Sequence, residues 1–244
     1  MGEIRDVYAV ILAGGAGTRM NSPVPKQFFM LGDAPVFVHA ARKLLGNTLV
    51  KQLWVGANGD WYDLARQQID EYLNDEAVGG GRVMMCEGGA DREGTLLNTL
   101  GAIREHNDIG PDDIVLIHDS VRPFLTGRII GDLIREMAFC DACNTVVPVN
   151  DTIVQSADGK TISGMPMRSE LFAGQSPQGF RLITLLEAFS SLSPEERKQL
   201  TETTKVCFMK NISVHIVRGE FFNFKITTPY DWHVAQSILD LLDQ

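Results

Sequence analysis

The stretch that decides the fold is Val10-Ile11-Leu12-Ala13-Gly14-Gly15-Ala16-Gly17-Thr18-Arg19-Met20, which Pro25-Lys26-Gln27 closes. The apolar run from Val7 to Leu12 predicts a strand buried on both faces, as in a parallel sheet. Three glycines follow within four residues, and glycine lets main-chain N–H groups approach a ligand without a Cβ in the way. Because Arg19 and Lys26 add two permanent positive charges, the loop is typical of a site for a polyphosphate.

The glycines alone leave more than one interpretation open. The dinucleotide motif G-x-G-x-x-G requires a third glycine where Met20 stands, and the second strand ends in Val55-Gly56-Ala57-Asn58 without an acidic residue. A Walker A loop requires Gly-Lys-Ser/Thr, which Gly17-Thr18-Arg19 is not. A tight strand-to-helix turn with incidental charges remains as the plain alternative.

Length and composition indicate one domain, residues 1–244, with an appendage. Hydrophobic content of 44% and charged content of 22% are ordinary for a globular protein. A formal net charge of −9 disfavours a nucleic-acid partner, so polyanions must be bound locally by clustered Arg and Lys. No apolar run approaches the roughly 20 residues of a membrane span, and we expect neither a membrane segment nor a signal peptide.

The four cysteines are Cys86, Cys140, Cys143 and Cys207. Cys140 and Cys143 have C-x-x-C spacing, but no second C-x-x-C and no His pair accompanies them in the sequence. We interpret all of them as plain buried or half-buried thiols, which fits a reducing cytoplasm.

Strands alternate with helices along the first part of the chain. The pattern predicts strands at residues 7–12, 50–56, 82–86, 114–118 and 145–149, and helices at residues 36–45, 60–73, 93–105 and 126–139. This alternation is typical of a Rossmann-like, doubly wound α/β fold with a mostly parallel sheet. Ligands of such sheets bind beyond the carboxyl ends of the strands, where the glycine loop, residues 88–92 and Asp119 are expected.

A different pattern follows from residue 150. Residues 151–155 and 161–162 predict a β-hairpin with its turn at Asp158-Gly159, forming a protruding arm over residues 150–170. A two-stranded ribbon is marginal alone, so we expect the arm to pack against a second subunit; packing on its own domain is the alternative. Beyond it the sequence predicts helices at 182–190, from Ser193-Pro194 and from Pro229 to Leu242, and a strand at 214–217.

Several residues outside the first loop are candidates for chemistry. Asp119, at the end of a central strand, is a natural Mg²⁺ ligand. His118 is interpreted as structural, and Arg122 as either a carboxylate partner or a substrate contact. Lys225 could return to the same face, and residues 88–95 form a second glycine turn that is either a helix cap or a nucleotide contact. Arg168 has no local acidic neighbour except Glu170.

Taken together, the motifs resemble the cytidylyltransferase family that contains the methylerythritol-phosphate and ribitol-5-phosphate enzymes. The matching strings, in order from Leu12 to Asp231, are L-A-G-G-A-G-T-R-M, P-K-Q, G-G-A-D-R, H-D-S-V-R-P, D-T-I-V, Q-S-P-Q-G-F and N-F-K-I-T-T-P-Y-D. The resemblance implies a nucleotidyltransferase fold with a β-arm, and a homodimer whose arms exchange. It also implies CTP and a polyol phosphate as substrates and Mg²⁺ as the cofactor.

The resemblance further implies a role for each matching residue. Arg19, Lys26 and Lys225 would be catalytic and stabilise the α-phosphate, and Asp119 would hold Mg²⁺. Gly14, Gly15, Ala16 and Gly17 would wrap the phosphates, and the nucleotide site would also include Leu12, Ala13, Gly89, Ala90, Arg92, Thr95 and Ser120, with Ala90, Arg92 and Thr95 by the cytidine. The acceptor would meet Asp151, Ser176, Thr201 and Arg168 of the partner subunit.

Details of the strings favour ribitol 5-phosphate as the acceptor. The chain has Ser120-Val121 and Ser176-Pro177-Gln178 where methylerythritol enzymes usually read A-A and T-P-Q, and Phe221-Phe222 where they often carry an acidic residue. The expected reaction is CMP transfer from CTP to D-ribitol 5-phosphate, in teichoic-acid or capsule synthesis. The alternatives are transfer to 2-C-methyl-D-erythritol 4-phosphate, a nicotinamide-dependent polyol dehydrogenase, and a non-catalytic nucleotide sensor.

Overall fold

The computed structural model describes residues 5–15 and 23–242, along which strands alternate with helices. The strands are β1 Val7–Leu12, β2 Met30–Leu31, β3 Ala34–Pro35, β4 Val50–Ala57, β5 Val83–Glu87, β6 Ile114–Asp119, β7 Ala142–Pro148, β8 Phe172–Arg181 and β9 Val214–Arg218. The helices are α1 Val36–Leu45, α2 Gly59–Tyr72, α3 Asp75–Gly79, α4 Arg92–His106, α5 Gly127–Glu136, α6 Leu182–Ser190, α7 Pro194–Arg197, α8 Thr204–Met209 and α9 Pro229–Leu242.

Seven strands of the described chain form one sheet in the order β5-β4-β1-β6-β8-β7-β9. β5, β4, β1 and β6 run parallel, β8 is antiparallel to both of its neighbours, and β9 is parallel to β7. This confirms the predicted, mostly parallel α/β fold. The chain moves outward from β1 through β4 to β5 and then returns to β6 on the other side of β1. The strand order therefore reverses between β1 and β6, which is where open α/β sheets bind their ligands.

β1 is buried along its whole length because helices cover both faces of the sheet. Ala9 and Ile11 belong to a core cluster with residues of α1, α2 and α5. Tyr8 and Val10 belong to a second cluster with residues of α4, α6 and α8. The continuous apolar run in the sequence therefore serves two cores at once, as expected for a central parallel strand.

A third, smaller cluster fixes the segment that carries Lys225. Ile226 is fully buried against Leu31, Phe124 and Ala235 of α9. The main-chain N–H of Ile226 also donates to the carbonyl O of Val121, 3.0 Å away. The final helix thus holds residues 223–227 beside the end of β6.

β8 lies between β6 and β7 and is not among the strands predicted from the sequence. Its residues Gln175, Ser176 and Gln178 are polar but buried, and Pro177 is typical of a loop. Their partners are distant in sequence: Gln175 Nε2 donates to the carbonyl O of Glu220 at 2.8 Å, and Gln178 Nε2 donates to Asn144 Oδ1 at 3.3 Å. A strand whose polar groups are satisfied by tertiary contacts has no local apolar pattern to reveal it.

The predicted strands of the arm are wrong, although its turn is confirmed. Within residues 150–170 the structure has one isolated antiparallel bridge, between Gln155 and Gly164, in place of a ladder. Asp158 Oδ1 accepts from the N–H groups of Lys160 and Thr161, both at 2.8 Å, and Gly159 has a φ of 69°. A two-stranded ribbon is marginal on its own, and no strand among the described residues lies beside the excursion to extend it, so a regular ladder does not form.

Other boundaries differ by a few residues. α5 ends at Glu136 instead of the predicted residue 139, and β7 begins at Ala142 because Ala142 and Cys143 already pair with β9. α6 and α9 have the predicted bounds, and α7 begins with the capping box of Ser193 and Glu196. No helix among the described residues combines the length and the apolar character needed to cross a membrane.

Candidate active site

The glycine turn that follows β1 lies against α4. An ideal Cβ on Gly14 would lie 2.5 Å from Oγ1 of the buried Thr95, so any side chain there would collide with it. Gln27 fixes the same turn, because its Nε2 donates to the carbonyl oxygens of Ala13 and Gly15, each at 2.8 Å. The backbone of Gly14 and Gly15 is thus held in place on the wall of a cavity.

Thr95 holds the second glycine turn by hydrogen bonds, and Asp91 caps the helix α4 that follows it. The N–H of Gly89 donates to Thr95 Oγ1 at 3.1 Å, and that hydroxyl donates to the carbonyl O of Asp91 at 2.8 Å. Asp91 Oδ1 accepts from the N–H of Gly94 at 2.7 Å, which is the cap of α4. The helix-capping role of this turn is confirmed, and its contact with a base stays a prediction.

Asp119 is the centre of the site and lies at the carboxyl end of β6, opposite Leu12 in the register of the sheet. Lys225 Nζ is 3.1 Å from its Oδ2, Arg92 Nη2 is 3.4 Å from its Oδ1, and Arg122 Nε is 3.7 Å from its Oδ2. We call Arg92, Arg122 and Lys225 the cation cluster. These distances confirm that Lys225 returns to this face of the sheet and that Arg122 contacts a carboxylate.

The positive charges of the cation cluster lower the pKa of Asp119. Burial alone would raise the pKa of Asp119, but the positive charges of Lys225, Arg92 and Arg122 outweigh it and hold the pKa well below its usual range. Burial lowers the pKa of Arg122, and Asp119 opposes that effect. Asp119 is therefore an ionised, acceptor-only carboxylate with 15% of its side chain exposed.

A chain of hydrogen bonds through Ser176 and His118 positions Asp119. Its main-chain N–H donates to Ser176 Oγ at 3.0 Å, and that hydroxyl is 3.1 Å from Nδ1 of His118. Nε2 of His118 lies 2.9 Å from the carbonyl O of Arg122 and must carry the proton, so Nδ1 accepts from Ser176. Burial lowers the pKa of His118 to about 4, which keeps the ring neutral. The predicted structural role of His118 is confirmed.

The cavity at this end of the sheet has a volume of about 240 Å³. Lys26 lines it with its Nζ 3.4 Å from the carbonyl O of Thr227. The predicted site residues that line this cavity are Leu12, Gly14, Gly15, Lys26, Arg92, Thr95, Asp119, Ser120 and Lys225. The structure therefore brings together residues that are more than two hundred positions apart in the sequence, such as Leu12 and Lys225.

Other predicted residues lie elsewhere. Ala13 is buried at the end of β1, and Gly89 and Ala90 belong to the turn before α4. The hydroxyl of Ser176 accepts a hydrogen bond from the main-chain N–H of Asp119. Thr201 lines a separate cavity of about 310 Å³, and Arg92 lines both cavities. Asp151 and Arg168 are exposed on the arm, and Ala16, Gly17 and Arg19 lie outside the described residues.

Three residues that organise the site were not assigned from the sequence. Gln27 orders the glycine turn, and Asn223 Nδ2 donates to the carbonyl O of Ser176 at 2.8 Å, which ties the Lys225 segment to β8. Thr203 Oγ1 accepts from Arg92 Nη1 at 3.0 Å. Gln27 and Asn223 stand inside motifs that the sequence does display, P-K-Q and N-F-K-I-T-T-P-Y-D, whereas Thr203 has no local signal.

Comparison with known proteins identifies the family. The profile of the IspD family, 2-C-methyl-D-erythritol 4-phosphate cytidylyltransferase, matches residues 7–241. Curated ribitol-5-phosphate cytidylyltransferases of Lactiplantibacillus plantarum and of Streptococcus pneumoniae serotype 2 are each 41% identical to this chain over 96% of its length, covering 98% and 99% of those proteins.

A solved structure, the 4-diphosphocytidyl-2C-methyl-D-erythritol synthase of Anaerococcus prevotii, covers 98% of this chain and 100% of its own. It superposes with a TM-score of 0.78 at 21% identity and so supports the fold. With the family profile and the curated relatives, this confirms the resemblance seen in the motifs. The chain belongs to the 2-C-methyl-D-erythritol 4-phosphate cytidylyltransferase family, within which its relatives at 41% identity are ribitol-5-phosphate cytidylyltransferases.

Proposed function

We propose that this chain transfers CMP from CTP to D-ribitol 5-phosphate, which yields CDP-ribitol and pyrophosphate. The observation that carries the proposal is the meeting of the fixed glycine turn with Asp119 and the cation cluster at the point where strand order reverses. The names of the relatives at 41% identity support ribitol 5-phosphate as the acceptor.

The proposed chemistry needs no covalent intermediate with the protein. A phosphate oxygen of the acceptor attacks the α-phosphorus of CTP, and the bond to the bridging oxygen breaks, so that pyrophosphate leaves with the electron pair. Lys26, Lys225 and Arg92 line the cavity and can neutralise the charge of the phosphates. Gly14 and Gly15 offer backbone free of side chains to the same anion. Catalysis is then positioning plus charge neutralisation.

The residues present fit a magnesium ion carried mainly by the nucleotide. Among the described residues lining the cavity, Asp119 is the single carboxylate, and Mg²⁺ commonly takes one or two carboxylates together with phosphate oxygens and water. Asp119 would hold the ion, whose charge would neutralise that of the phosphates. Lys225 and Arg92, which pair with Asp119, line the same cavity and could also contact the phosphates.

The metal role is tested with Asp119→Asn. We expect a sharply higher Mg²⁺ concentration for half-maximal activity, because the amide oxygen is a weaker ligand than a carboxylate. Asp63→Asn, which neutralises an exposed carboxylate on α2, is the matched control. An unchanged Mg²⁺ requirement in Asp119→Asn would assign Asp119 a purely structural role.

The reaction is tested by measuring pyrophosphate release with CTP, UTP and ATP, each against D-ribitol 5-phosphate and 2-C-methyl-D-erythritol 4-phosphate. We expect release with CTP and D-ribitol 5-phosphate. The family profile favours methylerythritol phosphate as the second candidate acceptor, and a preference for it would replace the proposal. Tight NADPH binding with no CTP turnover would instead indicate a dehydrogenase.

We also propose a homodimer in which the arm completes the site of the partner. Ile162, Met165 and Met167 of the arm are each more than 60% exposed, at 63%, 65% and 65%, which a second subunit would cover. Arg168 is exposed as well, and its Nη1 donates to the carbonyl O of Asn150 at 3.1 Å. Its guanidinium could bind the acceptor phosphate held by the other subunit.

Mixing two inactive variants tests this arrangement. Arg168→Ala should raise the Michaelis constant for the polyol phosphate and leave CTP binding nearly unchanged. When Arg168→Ala and Lys26→Ala subunits exchange, a mixed dimer regains one complete site, so activity should return. No recovery after exchange, or an active monomeric wild type, would contradict an arm that works in trans.

A cytoplasmic location stays a prediction.

A further inference from the structure

Three metal-binding side chains of different kinds meet far from the cavity. Glu136 ends α5, Cys140 lies in the following turn, and His215 is the second residue of β9. Each residue offers one ligand atom: Glu136 a carboxylate oxygen, Cys140 its sulfur and His215 an imidazole nitrogen. These three atoms lie within 4.8 Å of one another. Glu136 Oε1 and His215 Nδ1 already form a hydrogen bond of 2.6 Å. We call these residues the Glu-Cys-His cluster.

The fold explains how the cluster forms. Glu136 and Cys140 are one helical turn apart, and the Cys140 thiol donates to the carbonyl O of Glu136 at 3.4 Å. Cys143 of β7 and His215 of β9 are register partners in adjacent parallel strands. The C-x-x-C spacing therefore does acquire a histidine, but one supplied by a strand some seventy residues later in the sequence.

Cys143 is not the fourth ligand. It is fully buried, and an ideal Cβ on Gly179 would lie 2.8 Å from its sulfur, so the Cys143 side chain points into the core. Cys140 is therefore the one cysteine of the cluster, and its thiolate is the form that binds a metal.

The cluster is separate from the proposed active site. Cys143 and His215 stand near the amino ends of β7 and β9, and β7 runs in the same direction as β1 and β6. The cavity around Asp119 is at the carboxyl ends of the strands. Side-chain exposures of 40% for His215 and 36% for Glu136 leave the cluster accessible to ions from solvent.

We propose that Glu136, Cys140 and His215 bind one borderline-soft divalent ion of the Zn²⁺ class, with a water molecule as the fourth ligand. A set of one sulfur, one nitrogen and one oxygen selects such an ion over Mg²⁺ or Ca²⁺, which prefer oxygen ligands alone. Bond lengths of about 2.0–2.3 Å to Zn²⁺ place tetrahedral ligand atoms about 3.3–3.8 Å apart, so small side-chain rotations suffice. Binding releases the thiol proton of Cys140 to solvent and displaces the hydrogen between Glu136 and His215, which passes to solvent or to Nε2 of His215. The ion then joins α5 to the edge strand β9.

The proposal is tested by titrating the full chain with ZnCl₂ and with CoCl₂ in excess MgCl₂, which keeps Asp119 from competing. We expect one Zn²⁺ per chain by calorimetry and a thiolate-to-cobalt charge-transfer band in the near ultraviolet. Loss of an outer-sphere partner typically costs 10–100-fold in metal affinity, so Cys140→Ser and His215→Asn, which remove direct ligands, should weaken binding by at least about 100-fold. Zn²⁺ should also raise the Tm of the wild type and leave those of both variants unchanged.

His233→Asn and Cys86→Ser are the matched controls, because they remove a histidine and a half-buried cysteine outside the cluster. Both should bind Zn²⁺ as the wild type does. Circular dichroism of each variant without metal verifies the fold, and Glu136→Gln offers a third, milder ligand change. Absence of stoichiometric Zn²⁺ binding by the wild type, or equal binding by the cluster variants and the controls, would reduce the cluster to an ion pair between Glu136 and His215.

Discussion

The loop around Asp119 and the arm each follow a strand of the sheet, yet they are held in opposite ways. Around Asp119, side chains of His118 and Ser176 are buried and hydrogen-bonded to main-chain groups, and Arg122 Nη1 donates to the carbonyl O of Asn223 at 2.8 Å. In the arm, residues 151–170 are exposed apart from the half-buried Gly164 and Pro166. Its polar contacts are mostly within a few residues of one another.

The difference indicates which parts of the site one subunit builds alone. The loop around Asp119 is ordered by its own chain, because its contacts with the main sheet, α4, α9 and the β2–α1 region all lie within one subunit. The arm has little to bury within its subunit, so its order depends on what it contacts. Substitutions in the two regions should therefore differ in kind: those at the loop affect catalysis or folding of one subunit, and those on the arm affect assembly.

The largest expected effect is that of Lys26→Ala. Loss of one charge-assisted contact made in the transition state costs about 3–4 kcal/mol, or about 10²–10³ in kcat. The Michaelis constant for CTP should change far less. Steady-state kinetics measure both constants, and Lys43→Ala on the exposed face of α1 is the control. Near-normal turnover of Lys26→Ala would remove Lys26 from the catalytic groups and weaken the contrast with the arm.

Gln27→Glu tests whether the glycine turn must be held rigid. The ionised carboxylate cannot donate to the carbonyl oxygens of Ala13 and Gly15, and it places a negative charge beside the phosphate site. We expect the Michaelis constant for CTP to rise about 30–100-fold, which corresponds to about 2–3 kcal/mol.

Gln68→Glu is a close match for that variant. Gln68 is half-buried on α2, and its Nε2 also donates to a carbonyl oxygen, that of Phe28 at 3.1 Å, but outside the cavity. Equal CTP constants for the two variants would show that Gln27 has no special influence on the turn.

The pH dependence of stability tests the chain of hydrogen bonds from His118 through Ser176 to Asp119. The pKa of His118 is lowered from 6.5 to about 4 in the folded chain, so the unfolded chain binds more protons between these values. The free energy of unfolding should therefore fall as the pH falls, by about 2 kcal/mol between pH 7 and pH 5 from this group. Urea unfolding at both pH values measures it. His118→Gln retains a donor and an acceptor but does not titrate, so its loss over this interval should be smaller by that amount; an identical loss would contradict a neutral, buried His118.

The smallest effect is expected on the arm. Met165→Ala should change the free energy of unfolding by no more than about 0.5 kcal/mol at protein concentrations that keep subunits apart, because the side chain is 65% exposed. Met137→Ala makes the same chemical change at a fully buried position and should cost about 2–5 kcal/mol. Urea unfolding of both variants gives the comparison. A comparable loss for Met165→Ala would mean that the arm packs on its own subunit.

The sequence predicts those parts of the molecule whose cause is local. The apolar run of β1, the cap of α7 and the proline that starts α9 are each decided by a few neighbouring residues, and each is confirmed. The position of Asp119 also followed from the rule that strand ends meet at one edge of the sheet. Lys225 was expected at the end of a late strand, which is wrong: it lies in the irregular segment between β9 and α9, and the contacts of Ile226 bring that segment to the same face.

The failures have a common physical origin. β8 is polar and contains a proline, and it is a strand because Glu220, Asn144 and Thr145 satisfy its groups from elsewhere. The Glu-Cys-His cluster needed the register of β7 and β9, which no local pattern provides. The arm strands were expected from a turn signal that does fix the turn, but a stable ladder requires a neighbouring surface, which residues 5–15 and 23–242 of one subunit do not provide.

The insertion of β8 between β6 and β7 has a consequence for synthesis of the protein. β5, β4, β1 and β6 can pair with one another as soon as residue 119 has emerged from the ribosome, because all four strands end at or before it. Residues 142–148 must wait, since β7 pairs only with β8 and β9 among the described strands, and both are made later. Until residue 181 emerges, the open edge of β6 is exposed to other nascent chains. Translation that slows across residues 120–181 would prolong that exposure, so the risk of aggregation depends on when this strand is delivered as well as on how stable the finished sheet is.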